Sequence, residues 1–132
     1  MLNQDGHVAE GSGENIVVIR NGRLISPSPE ANILEGITLD TVLQLAAEEL
    51  GLEVERRSVD RSELYIADEV FMTGTAAHVT PVVEVDRVPV GDGTPGEISI
   101  KLQKRYFDII TGRVPEYSDW LLPVPQREAA RT

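Results

Sequence analysis

The 132-residue chain has no cysteine, two histidines and only two lysines, Lys101 and Lys104. The lack of cysteine excludes a disulfide framework and thiolate catalysis. His7 and His78 share no helical spacing with carboxylates, so the pattern predicts no metal site. No apolar run approaches the ~20 residues that span a bilayer, and Met1–Gly6 lacks the basic and apolar regions of a signal peptide. Cytoplasm is the expected location, with no membrane partner. Positive charge is also scarce: 12 Lys and Arg against 22 Asp and Glu leave a net charge of −10. That balance argues against nucleic acid as a partner, yet it permits a local phosphate site built from backbone amides. What is present is a 41% hydrophobic composition, sufficient for one core without disulfides or metal. Residues 1–123 are expected to form a single domain without repeat or linker. Residues 124–132 lack apolar periodicity and read as a flexible tail.

Turn residues divide the first part of the chain. Asp5-Gly6 signals a turn, and the β-branched run Ile16–Arg20 closes on Asn21-Gly22, a dipeptide suited to a tight hairpin. The prolines of Ser26–Pro29 mark a loop. Thr38 is expected to cap a helix over Leu39–Leu50, with Asp40 in its first turn, Val42, Leu43, Ala46 and Leu50 on the apolar face, and Gly51 ending it. Leu52–Arg56 alternates like a half-buried strand. Asp60 and Glu63 have the spacing of a capping box for a short helix ending near Ala67. A buried strand fits Glu69–Thr73, a connection Gly74–Pro81, and a second apolar segment Val82–Val85. After the loop Gly91–Gly96, a helix is predicted over Glu97–Thr111, with Ile98, Leu102, Tyr106 and Ile109 on one side and Gly112 as its stop.

Three segments carry chemistry. Glu10–Asn15 reads Glu-Gly-Ser-Gly-Glu-Asn; its glycines permit close backbone approach to a ligand, and Asn15 can tie the loop through its side chain. It is neither a P-loop nor a dinucleotide fingerprint, because the Gly-Lys-Ser/Thr ending and the third glycine are missing. Taken alone, Glu10 reads as the end of a hairpin. In Gly36-Ile37-Thr38, the free amides of Ile37 and Thr38, the Thr38 hydroxyl and the positive end of a helix converge on one small volume suited to an anion. A lone threonine there reads equally as a cap. Thr73–Ala77 supplies small residues and exposed amides at a turn, a second place for an anion. Asp68 and Glu69 are adjacent on a strand and point to opposite faces, so they do not form an acid–base pair. Trp120, beside Leu121 and Leu122, is expected to pack against the core.

In order and spacing, Glu10–Asn15, Ile33–Thr38 and Thr73–Ala77, together with Asp68–Thr75, resemble the branched-chain amino acid aminotransferases, fold-type IV enzymes that use pyridoxal 5'-phosphate (PLP). The resemblance runs from about Gly6 to Pro123 and matches only the C-terminal part of such an enzyme. It implies a mixed α/β fold (α+β), the large C-terminal pseudo-barrel domain of the D-amino acid aminotransferase-like enzymes. It implies cofactor contacts from Glu10 at the pyridine nitrogen, Leu34 at the ring face, and Gly36, Ile37, Thr38, Gly74 and Thr75 at the phosphate. It also places the substrate carboxylate at the backbone of Thr75 and Ala76. The N-terminal domain and its Schiff-base lysine are unmatched: that lysine lies upstream of the Glu10 motif in the family, whereas Lys101 and Lys104 lie far downstream. The parent activity is amino-group transfer between Leu, Ile or Val and 2-oxoglutarate, and this chain alone is expected to be inactive, with weak or no PLP binding. It is expected to form a homodimer or larger assembly, or to pair with a complementing N-terminal half. D-Amino acid aminotransferase and aminodeoxychorismate lyase share the cradle, and a noncatalytic oligomeric module with a vestigial anion site is the contrasting reading. Leu39 stands where the family usually has a basic residue, and His78 where Glu is common; Val17 and Ser26 replace an aromatic and a threonine.

Overall fold

The computed structural model describes residues 1–124; the tail expected over 124–132 therefore lies outside the described residues except for Val124. Five strands form one sheet: β1 (Asn15–Arg20), β2 (Arg23–Ser26), β3 (Glu53–Arg56), β4 (Glu69–Gly74) and β5 (His78–Val82), in spatial order β3-β2-β1-β4-β5. The β1–β2 hairpin turns at Asn21 and Gly22, whose φ angles of 51° and 72° match the turn that follows the natural strand twist. From β2 the chain passes through helix α1 (Ile37–Glu48) and returns as β3 parallel to β2. Helix α2 (Glu97–Ile110) follows the sheet, and 3₁₀ turns occupy Pro29–Ala31, Arg61–Tyr65 and Pro115–Trp120. This is the mixed α/β architecture expected. The five-stranded sheet is open, and no closed barrel occurs among the described residues.

The unbroken apolar run of β1 follows from burial of both sheet faces. Val17 and Ile19 on one face join Leu24, Phe71 and Val79 against Leu39, Val42, Leu43, Leu45 and Ala46 of α1 and Leu102, Tyr106 and Ile109 of α2. On the other face Ile16, Val18, Ile25 and Val70 meet Val8, Val59, Leu64, Ala67 and Val90.

Several boundaries depart from the sequence reading. Helix α1 begins at Ile37 on an N-cap at Gly36, so Thr38 is its second residue and not its cap. The extended backbone of Gly36, with ψ 140°, already supplies the carbonyl that accepts the Asp40 N–H. The helix stops at Glu48, leaving Leu50 36% exposed and off the buried face, and Gly51 follows at φ 63°. Residues expected to connect strands instead form most of β5: Gly74 pairs with His78 and Phe71 with Pro81. Pro81 is tolerated because β5 is a sheet edge, where a ladder donor can be spared. Downstream, β6 (Glu84–Val85) and β7 (Val88–Pro89) make an unexpected small hairpin that turns at Asp86 and Arg87. The helix after the Asp60–Glu63 capping box is a 3₁₀ turn ending at Tyr65, short of Ala67, although the box itself is complete. Trp120 does not enter the core. It is 40% exposed and rests edge-on against Tyr117, which lies in the same 3₁₀ turn and itself packs against the core.

Candidate functional site

Glu10, Leu34, Gly36, Ile37, Thr38, Gly74 and Thr75 all line one cavity of about 140 Å³, with Gly11–Asn15 and Thr73 completing the lining. Ala76 follows Thr75 in the turn between β4 and β5 and is not part of that lining. The three segments meet because β1 and β4 are antiparallel neighbours, with Asn15 paired to Thr73. The start of one strand and the end of the other therefore lie at the same end of the sheet. Helix α1 packs on β4 and presents its N-terminus there.

Asn15 is the hub. It is 5% exposed, and its Nδ2 donates to the Leu34 carbonyl at 2.7 Å and to Glu10 Oε2 at 3.3 Å. The same Glu10 oxygen accepts the Leu34 backbone N–H at 2.9 Å. Glu10, Asn15 and Leu34 thus lock the Glu10–Asn15 loop to the segment that leads into α1, as the tie expected of Asn15 requires. The fit leaves no room for added atoms: a Cβ on Gly36 would stand 2.5 Å from Asn15 Oδ1, and one on Gly74 would stand 2.9 Å from the Gly13 carbonyl. Glycine at these two places is what lets the Asn15 side chain and the Gly13 carbonyl pack against the backbone around the cavity.

The site's charge distribution is asymmetric. At the start of α1 no side chain caps the helix, so the amides of Ile37, Thr38 and Leu39 lack intrahelical acceptors and the positive end of the helix dipole faces the cavity. No Lys or Arg is among the lining residues. The nearby Arg56 is ion-paired with Glu35 at 3.0 Å. Leu34 and Ile37 expose apolar side chains at the rim, at 76% and 87%. One wall offers the open amides, the other a carboxylate, and the rim is apolar.

Neither lysine enters this arrangement. Both lie on α2, where Lys101 Nζ pairs with Glu97 at 2.5 Å, and neither lines the cavity. His78 also turns away, packing its ring against Phe107 and Tyr106 at centroid distances of 5.1 and 6.2 Å. Asp68 and Glu69 diverge as expected: Asp68 accepts the Asn21 N–H, whereas Glu69 reaches the N-terminus of α2, accepting from Ile98 N, Ser99 N and Ser99 Oγ. Thr73 also lines the cavity, and the sequence marks it only as the first residue of Thr73–Ala77, with no role for its own side chain. It is wholly buried, and its hydroxyl has no hydrogen-bond partner among the described residues.

A carboxylate and a helix N-terminus thus face one cavity at the end of the sheet, an arrangement whose charge pattern suits an anion. A family model for amino-transferase class IV matches residues 1–85, and the chain belongs to that family. The chain is 56% identical to a probable branched-chain-amino-acid aminotransferase of Aquifex aeolicus, over 94% of its own length and 40% of that protein. It is 48% identical to the branched-chain-amino-acid aminotransferase of Pseudomonas aeruginosa, over 91% of its length and 38% of that protein. Its fold superposes on the PLP-form branched-chain amino acid aminotransferase of Thermobaculum terrenum with a TM-score of 0.92 at 48% identity, covering 96% of this chain and 41% of the other. The chain therefore spans about 40% of the length of these relatives and resembles a fragment of a fold-type IV, PLP-dependent branched-chain aminotransferase.

Proposed function

We propose that this chain forms one wall of the PLP site of a branched-chain aminotransferase, acting in amino-group transfer between Leu, Ile or Val and 2-oxoglutarate. The observation that carries the reading is the placement of Glu10 and the open N-terminus of α1 on one cavity, held together by Asn15. The residues fit the cofactor: the uncapped amides at the start of α1 and the small-residue turn at Gly74 and Thr75 line one cavity, a donor set that suits a phosphate. When bound, PLP supplies an electron sink for chemistry at the amino acid Cα. Glu10 would keep a proton on the pyridine nitrogen, using the carboxylate oxygen not engaged with Leu34 and Asn15. Leu34 would cover the ring face and exclude water. The amides of Ile37 and Thr38, with Gly74 and Thr75, would hold the phosphate, and the Thr75-Ala76 backbone would orient the substrate carboxylate. Since neither lysine lines the cavity, the reacting amine is supplied by a segment that packs over the exposed rim at Leu34 and Ile37. The same apolar exposure supports self-association.

The test combines the chain with a separately expressed N-terminal segment of the Aquifex aeolicus relative. Expected are a stable complex and PLP-dependent transfer from leucine to 2-oxoglutarate, with Glu10→Gln lowering turnover more than it lowers PLP retention. A stoichiometric borohydride-trapped PLP adduct on Lys101 or Lys104, with turnover by the chain alone, would refute the division of labour. Failure of the two segments to associate would favour a noncatalytic module.

A further inference from the structure

We infer that Thr73 is a further anion-binding residue of this site, its hydroxyl donating to the phosphate held at the N-terminus of α1. The inference deepens the reading of the cavity as a phosphate cradle and rests on it. Thr73 is 0% exposed, yet its Oγ1 has no hydrogen-bond partner among the described residues. Its main chain is committed to the sheet, paired with Asn15 on β1 and Val79 on β5. The hydroxyl is therefore its remaining polar group without a partner. Along β4, Thr73 is two residues from Phe71 and so projects to the same sheet face, the one covered by α1 and α2. It lines the cavity together with Ile37 and Thr38.

Valine has the same shape and would fill this buried strand position without a polar group. Burying a hydroxyl that bonds to nothing is unfavourable, so a threonine here is explained by a partner that arrives with the ligand. Two features of the cavity make that partner an anion: the unsatisfied amides of the first turn of α1 and the positive end of its dipole. An O–H on the sheet wall complements the amides at the start of α1 as a further donor to a phosphate oxygen.

The test uses the whole chain and inorganic phosphate, so its readout is independent of cofactor and catalysis. Calorimetric titration of wild type, Thr73→Val and Thr73→Ser should give a phosphate affinity about tenfold weaker for Thr73→Val, the effect of losing one hydrogen bond to a charged group. Thr73→Ser should keep most of the affinity. Thermal unfolding without phosphate provides the second measurement. Thr73→Val should unfold at the same or a higher temperature than wild type and gain less from added phosphate. Equal phosphate affinity in Thr73→Val and wild type would overturn the inference. So would a marked loss of stability in phosphate-free Thr73→Val, which would give the hydroxyl a partner inside the protein. Absence of phosphate binding by wild type would overturn it as well, while assembly with the lysine-bearing segment reports separately on the family reading.

Discussion

Asn15→Asp is the sharpest perturbation of the cradle because it preserves shape and reverses hydrogen-bonding polarity. In the native site Nδ2 donates to the Leu34 carbonyl at 2.7 Å and to Glu10 Oε2 at 3.3 Å. The aspartate would lose both donations. At roughly 1 kcal/mol for the bond to the carbonyl and about 1.5 kcal/mol for the one to the carboxylate, the lost bonds alone amount to about 2–3 kcal/mol. A second carboxylate would then stand where the amide was. Two full charges about 3.3 Å apart repel by roughly 5 kcal/mol at an effective dielectric of ~20. The pair would escape most of that by retaining a proton at neutral pH. A total loss of about 3–5 kcal/mol at pH 7 is expected, with loosening of the segment that leads into α1.

The pH dependence has a definite sign. A carboxyl whose folded-state pKa is raised destabilises the protein above its unfolded value, and this part of the deficit disappears as both states become protonated. The difference between Asn15→Asp and wild type should thus shrink between pH 7 and pH 4, leaving the cost of the lost hydrogen bonds. Urea unfolding of both proteins at several pH values measures this directly. Equal stability at pH 7, or a deficit that grows on acidification, would refute the role given to Asn15.

Two other elements offer independent checks. Glu69→Ala removes the acceptor for Ile98 N, Ser99 N and Ser99 Oγ at 2.9, 2.8 and 2.7 Å, so α2 should lose about 2–4 kcal/mol, seen as a lower urea midpoint that Glu69→Gln partly restores. Glu63 accepts two bonds from Arg57, which more than any other neighbour holds its carboxyl below the usual range. A depressed folded pKa contributes stability that is present above the unfolded value of ~4.3 and is lost as pH falls through the folded value. Glu63→Gln should accordingly be less stable than wild type at pH 7 and show a shallower loss below about pH 4 in unfolding titrations.

Legibility in the sequence depended on how locally each feature was encoded. The Asn21-Gly22 hairpin and the Asp60–Glu63 capping box are written in adjacent or near residues, and both formed. The β5 strand was hidden because Pro81 looks like a break until the sheet order shows that its strand is an edge. The β6–β7 hairpin turns on Asp86 and Arg87 at φ 50° and 67° with no glycine to announce it. Glu69 as the cap of α2 was invisible, since its partners lie 29 and 30 residues away. Within the cradle, the motifs located the three segments, and seven of the eight residues chosen line one cavity. Thr73 belongs to one of those segments, but a threonine in a strand is ordinary, and only its complete burial without a partner sets its side chain apart.

The start of α1 at Ile37 bears on how the proposed anion site would work. With Thr38 as the cap, its side chain would bond to the helix's own amides and so compete with a ligand for them. With Gly36 in that place and no side-chain cap, the first-turn amides stay available, and the cost of leaving them open is carried by the rigid surroundings. Asn15 provides that rigidity from β1, a strand buried on both faces, and Gly36 must lack a Cβ for Asn15 to reach its place. An acidic chain with no Lys or Arg lining the cavity thereby presents positive potential at one point through oriented backbone dipoles. The proposed preference for a compact anion would follow from the fixed positions of a few amides, so substitutions at Asn15 or Gly36 should weaken phosphate binding even though neither side chain supplies a positive charge.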